Sequence, residues 1–416
     1  MFNLLKRKGV FFLALSNGVS QLGDRLTHMV IITLIGAKYP GKVSAFSEFA
    51  ITFSLPIIIL APFVGVIVDH WNKQTIMFRC HLIQSILIFL TPSFIIITNS
   101  LIPIWALVFI FFALDVFNNT SKSAVTPDLV NYEEYVLANS FIITVARVAT
   151  FLGMVGGGYL IKWVGWRLGF YIDAMTHLIA GLLVLGMGAR ILFEPSVKIQ
   201  VSLRKELKKS LVIFLLDLQE LINLIIHDRI VLFVMISIFV LPFSAAIAYT
   251  VLIYLIQQTF NMGTAGVGWF GGIIGAGMFL GGICMGIFGR RFNRAVIIIC
   301  SMTVLTIFFI FGPFFMNALF LYVIAVISGM VFSFVGIAQD TILQEDVLRS
   351  IRGRIFATKE FVINLTFLLC AIMIGLISRI FNPFTILRIT GILIGILTLS
   401  AILLINSISE ETRKKL

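Results

Sequence analysis

Charge is what this chain has least of. Only 12% of its 416 residues are charged, while 59% are hydrophobic and the mean hydropathy is +1.07. A water-soluble domain carries about a quarter charged residues, so no soluble surface can be covered here. Forty Phe residues would overfill a globular core but suit a surface in contact with lipid. Cysteine is scarce as well. Cys80, Cys284, Cys300 and Cys370 show no CxxC or paired spacing, which predicts neither a disulfide nor a cysteine metal site. No HExxH or GxSxG occurs, and Gly275, Ala276 and Gly277 follow no strand, so zinc hydrolase, nucleophile-elbow and dinucleotide-loop readings all fail. A filter-like loop and a ring of charges are also missing, which disfavours a channel.

What is present is a series of long apolar runs. A helix crosses the hydrocarbon core in about 20 residues, and twelve such stretches are predicted: 11–37, 44–68, 76–97, 102–122, 137–161, 167–189, 230–257, 265–288, 295–313, 318–338, 356–379 and 384–406. Barrel strands are short and alternate polar with apolar, whereas these runs are continuously apolar. The first follows Lys6, Arg7 and Lys8 as a signal peptide would, but continues to Ala37 with no small-residue cleavage site, so it is expected to be a retained helix.

Twelve crossings place both ends of the chain on one side, and the cations say which. Of 31 Lys and Arg residues, 23 fall in the predicted inner segments and 6 in the outer ones, with Arg25 and Arg147 inside spans. The positive-inside rule then places both termini in the cytoplasm. This distribution also accounts for the net charge of +12. The bases lie at membrane edges, facing anionic lipid and not nucleic acid.

The chain carries an internal duplication. Gly65, Asp69, Asn72 and Lys73 form a spaced signature between the second and third spans. At an offset of 217 residues, Gly282, Gly286, Gly289, Arg290 and Arg291 repeat it with Gly286 in the acid position. At the same offset Asp128 aligns with Glu345. A shared register at two landmarks predicts duplicated halves: an N-terminal six-helix bundle at 1–189, a linker at 190–229 and a C-terminal six-helix bundle at 230–416. The linker holds Arg204, Lys205, Lys208 and Lys209, then Leu211, Phe214, Leu215, Leu218, Leu221 and Ile222. That pattern predicts an amphipathic helix on the inner membrane surface. Glycines crowd the eighth span, where Gly271–Gly275 and Gly277–Gly281 are small-xxx-small steps that let helix backbones approach.

The first signature resembles the loop of the major facilitator superfamily, whose pattern is Gly-x-x-x-Asp-x-x-Gly-Arg-Lys. Here Asn72 replaces the glycine, and Asn is expected to keep the left-handed turn that Gly would supply. Pro127, Asp128, Leu129 and Val130 with Leu137, Ala138 and Asn139, the run Phe170–Ala174, and Arg352, Gly353 and Arg354 resemble the branch of macrolide-efflux proteins, siderophore exporters and lysophospholipid transporters. The resemblance implies an all-α polytopic membrane protein of 12 transmembrane helices in two pseudo-symmetric six-helix bundles. It further implies alternating access, with a proton or ion gradient in place of any cofactor. Asp69 would meet the positive N-terminus of the eleventh span near Gly353. The cytoplasmic gate would thus comprise Gly65, Asp69, Asn72, Lys73, Gly282, Gly289, Arg290, Arg291, Arg352, Gly353 and Arg354.

Ionisable residues inside a bilayer are functional candidates by default. The first span holds Asp24, Arg25 and His28, the fourth Asp115, the fifth Arg147, and the sixth Asp173 and His177. Asp24 and His28 share a helix face. In the superfamily the first and fourth helices line the cavity, so Asp24 and Asp115 are the expected proton carriers, with Arg147 as counter-charge to Asp115 or as its permanent partner. Asp173 and His177 are expected to pack or hydrogen-bond at a peripheral helix, and His81 to carry little signal. Three functions stay open. The first is a proton-coupled exporter of hydrophobic or amphipathic small molecules. The second is a translocase of lysophospholipids or other lipids. The third is a divalent-metal exporter, because Gly23 to His28 resembles ferroportins. The chain is expected to be a monomer in the cell membrane, with no metal site and no catalytic residue.

Overall fold

The computed structural model describes residues 7–130, 134–188, 203–227, 229–315, 317–346 and 352–407. Among these, all regular structure is helical. The elements are α1 (Lys8–Lys38), α2 (Val43–Leu60), α3 (Val64–His70), α4 (Lys73–Thr98), α5 (Ile102–Val125), α6 (Tyr135–Leu185), α7 (Leu203–His227), α8 (Arg229–Ile238), α9 (Val240–Ile247), α10 (Gly263–Phe288), α11 (Arg294–Phe315), α12 (Ala318–Asp346), α13 (Arg352–Ile377) and α14 (Pro383–Asn406).

Among the described residues, ten helices are long and apolar enough to cross a membrane. Two features reconcile that number with the twelve predicted crossings. The stretch Leu137–Leu185 counts once but turns at Gly165, where φ is 79° and ψ is 167°. Only glycine adopts that region without strain, and the turn falls between the predicted fifth and sixth spans. Helix α1 supplies the other crossing. It is 31 residues long, and the polar side chains that lower its hydropathy are those of the site described below.

Helix ends follow from local chemistry. Asn382 accepts a hydrogen bond from the Thr385 amide at 2.8 Å, with Pro383 at the first helical position, the arrangement that best satisfies a helix N-terminus. The seventh span departs from α geometry in two π-helical turns, Ala248–Leu252 and Leu255–Thr259.

The described chain divides into two compact units. Unit 1 comprises Met1–Lys38, Thr52–Ile213 and Gly263–Trp269; unit 2 comprises Tyr39–Ile51, Phe214–Met262 and Phe270–Leu416. In unit 1, α1 packs along α6, and α4 packs on both α5 and α6. In unit 2, α11 packs on α14 and α12, and α9 packs on α13. The eighth-span glycines act as expected on spacing: a Cβ at Gly281 would meet the Met330 backbone at 2.8 Å, so α10 and α12 approach as only glycine allows.

The linker forms helix α7, in line with its periodicity. Its first half belongs to unit 1: Ser210 Oγ donates to the Pro62 carbonyl at 2.6 Å, and Glu206 stands 2.8 Å from His70. The predicted segment 189–202 lies outside the described residues.

Candidate functional site

Helix α1 gathers its polar residues on one side. Asn17, Gln21, Asp24 and His28 follow a 4-3-4 spacing, which keeps them on a single helical face. Such residues are stable among apolar helices only when partnered, and their partners define the site.

The first cluster centres on Asp24. One carboxylate oxygen lies 3.1 Å from His177 Nε2, and the other accepts from Gln21 Nε2 at 2.9 Å. The other ring nitrogen of His177 lies 3.3 Å from Nδ1 of His81. Asp173, one turn before His177, stands 3.6 Å from it and accepts from Thr176 Oγ1 at 3.0 Å. Asp173 is fully buried, and His177 and His81 are each 1% exposed. Phe111 closes over His177 edge-on, with ring centroids 5.2 Å apart. Gly23 makes this assembly sterically possible, because a Cβ there would overlap Asp173 Oδ1 and Thr176 Oγ1.

Asp115 anchors the second cluster. It accepts from Asn119 Nδ2 at 2.9 Å. Lys122 Nζ in turn donates to Asn119 Oδ1 at 2.7 Å and to Asn17 Oδ1 at 2.9 Å, tying α5 to α1. The chain Asp115–Asn119–Lys122–Asn17 thus reaches the same face of α1 that carries Gln21 and Asp24. The two amides Gln21 and Asn119 line a cavity of about 360 Å³ together with Asn17, Lys122, Arg147 and Thr150. Gln21 also accepts from Thr150 at 3.3 Å and from Arg25 at 3.5 Å.

Several sequence expectations change. Asp115 and Arg147 do not pair: Asn119 holds the acid, Lys122 supplies the neighbouring positive charge, and Arg147 faces the cavity. Asp24 is bound by His177, whereas the His28 ring lies 6.5 Å from that of Phe53. His177 and Asp173 do hydrogen-bond, as expected, but His177 does so with Asp24 of α1, beside the site and not at its periphery. His81 is a buried member of it, within α4. Asp173 and His177 carry a readable signal, since an intramembrane Asp with His four residues on is costly without a partner. His81 lies inside the predicted third span, but with no acid at helical spacing beside it nothing in the sequence marks it as the neighbour of a histidine 96 positions away. Lys122 reads as an edge cation, yet its side chain turns inward to Asn17.

The signature itself is mostly helical. The chain breaks at residues 61–63, and Gly65 and Asp69 then ride on the short helix α3, both exposed. Asn72 is not left-handed. Its φ is −64° and ψ is 116°, and its side chain caps α4 by accepting from the Thr75 amide at 2.9 Å. The turn needs a helix cap and not a positive φ, which is why Asn serves there. Lys73 opens α4, and Gln74 donates to the Val184 carbonyl at 2.7 Å. In the second copy Gly282 is within α10, and Gly289 and Arg291 bound a 3₁₀ turn. Arg291 lies over the Phe288 ring at 6.0 Å. Nearby, Arg294 forms a two-pronged pair with Glu345 at 2.7 and 2.9 Å. Lys359, 4% exposed, is bound to Asp340. Gly353 is in the first turn of α13, while the side chains of Arg290, Arg352 and Arg354 lie outside what is described.

Membrane-length helices in two compact units, one enclosing a hydrogen-bonded acid–histidine network, define a multi-pass membrane protein. The chain belongs to the Major Facilitator Superfamily, which it matches over residues 11–365. It is 33% identical over 72 residues to the uncharacterized MFS-type transporter YfiS of Bacillus subtilis (strain 168), an alignment spanning 17% of either protein. Its fold is similar to that of the nucleoside transporter NupG. There the TM-score is 0.69 at 14% identity, covering 94% of this chain and 98% of the other. It is similar also to a bacterial homologue of the iron transporter ferroportin in an inward-facing state, with a TM-score of 0.69 at 12% identity, covering 96% and 99%. At such identities the likeness concerns the fold alone.

Proposed function

We propose that this chain is a proton-coupled secondary transporter working by alternating access, exporting hydrophobic or amphipathic small molecules. The observation that carries the coupling is the Asp24–His177 contact at 3.1 Å, which joins α1 to α6 inside an apolar bundle. A carboxylate and an imidazole at this distance exchange a proton readily, and Asp173, His81 and Asp115 extend the set of groups that share it. A proton entering such a cluster changes its net charge where water cannot compensate, so protonation favours one arrangement of the bundle over another.

Export by a drug-efflux, siderophore-exporter or lysophospholipid-transporter relative is supported by the segments around Pro127, Phe170 and Arg352. The excess of cations in alternate loops supports a cell-membrane protein with both termini cytoplasmic. On this reading Asp69, exposed at the end of α3, serves the cytoplasmic gate.

The test is flux in proteoliposomes against a panel of macrolides, siderophores and lysophospholipids. An imposed pH gradient should drive accumulation of a transported compound, and a protonophore should abolish that drive. Transport that ignores the gradient would remove the coupling.

A further inference from the structure

The cavity of unit 1 has a chemistry that fits neither a purely apolar guest nor a cation. Two of its walls carry positive charge, from Lys122 and Arg147, and none of its lining residues is a carboxylate. The acids of the site stand behind amides: Gln21 turns its NH₂ to Asp24, and Asn119 turns its NH₂ to Asp115. Lys122 spends two of its three N–H groups on Asn17 and Asn119, leaving one for a guest. Arg147 is exposed and makes no ion pair with any described acid. Its planar fork of donors matches a carboxylate, sulfonate or phosphate. Ile142 and Ile143 supply an apolar wall beside these charges. At about 360 Å³ the space is at the small end of ligand pockets, which run from about 300 to 1,000 Å³.

We infer that this cavity binds an amphipathic organic anion, its acidic head held by Arg147 and Lys122 and its apolar body laid against Ile142 and Ile143. The inference rests on the transport reading above and narrows its substrate class. From Lys122 a hydrogen-bonded path runs through Asn119 to Asp115, and Gln21, in the same cavity wall, donates to Asp24. A bound anion is thereby linked to the proton-carrying groups without touching them, and linkage between two such sites is reciprocal. The anionic head has two sources, a free amphiphilic acid or the headgroup of an anionic lipid.

The test is calorimetric titration of the full chain in phosphatidylcholine nanodiscs, with 2-naphthalenesulfonate and the neutral 2-naphthalenemethanol as matched probes. A head held by charge-assisted bonds should make the sulfonate bind roughly tenfold or more tighter than the alcohol. Arg147→Gln should erase most of that difference, and Arg147→Lys should retain part of it. Because Arg147 is exposed, both variants should fold, and Lys122→Arg gives an independent charge-preserving control. Adding phosphatidylglycerol weakens sulfonate binding if the lipid headgroup is the natural anion and leaves it unchanged if a free acid is. Equal affinity for the two probes, or sulfonate affinity unaffected by Arg147→Gln, overturns the assignment. Proton-driven flux of a neutral amphiphile without sulfonate binding would leave the transport reading standing and remove this one. Sulfonate binding without gradient-driven flux would do the reverse.

Discussion

At the residue scale, unit 1 holds the buried acid–histidine network and partners most of its atoms locally, while Asp173 Oδ2 is buried without a hydrogen-bond partner. Each hydrogen bond of this kind contributes about 0.6 kcal/mol on average inside a membrane protein, so the network is held by number and by packing and not by any one contact. Gly23 is the packing element. Gly23→Ala would drive a methyl group into Asp173 and Thr176. Overpacking of this sort costs about 1–3 kcal/mol, so a lower thermal-unfolding midpoint and loss of flux are expected together. Gly65→Ala, with open space around the glycine, should leave the unfolding midpoint unchanged. His177→Gln should keep the fold while breaking proton exchange with Asp24. Unaltered gradient-driven flux in that variant would show that His177 only fills space. The members of this cluster are partly legible in the sequence. Asp24 and Asp115 stand out because charges are rare in apolar runs, but no spacing in the sequence says that Asp24 meets a histidine 153 positions away.

At the scale of elements, periodicity and hydropathy locate the helices well and their joints less well. The turn between the fifth and sixth crossings is legible as a gap in the apolar runs. The structure adds that Gly165 makes the turn with φ of 79°, without a loop. Gly165→Ala should therefore cost about 1–3 kcal/mol, read as a drop in the unfolding midpoint. The signature at 65–73 is recognisable by residue type, but its conformation is not, because Asn both tolerates left-handed turns and caps helices. The two roles separate by mutation. As a cap, Asn72→Asp should be neutral and Asn72→Ala should cost about 1 kcal/mol. As a left-handed turn, Asn72→Gly would be the best tolerated change, whereas at a cap it should cost a few tenths of a kcal/mol. Helix α7 is legible from its basic start and apolar stripe, whereas its attachment to Pro62 and His70 is not, since those contacts depend on tertiary placement.

At the scale of the whole molecule, the duplicated signature is the best guide to family and the poorest guide to chemistry. It repeats in both halves, yet Asp24, Asp115, Asp173 and His177 all belong to unit 1, while unit 2 holds charges in pairs such as Arg294 with Glu345 and Lys359 with Asp340. The halves have thus diverged in what their polar residues do. If Asp69 serves the gate, Asp69→Asn should slow exchange between conformations, followed by distance measurements between spin labels, more than it weakens substrate binding. The central claim is that Asp24 and its histidine partner couple proton movement to transport. It is tested most directly by comparing the wild type with Asp24→Asn in one proteoliposome preparation, measuring gradient-driven accumulation beside substrate counterflow. Asp24→Asn is expected to lose accumulation and keep counterflow. Accumulation that survives in Asp24→Asn at the wild-type level would contradict it.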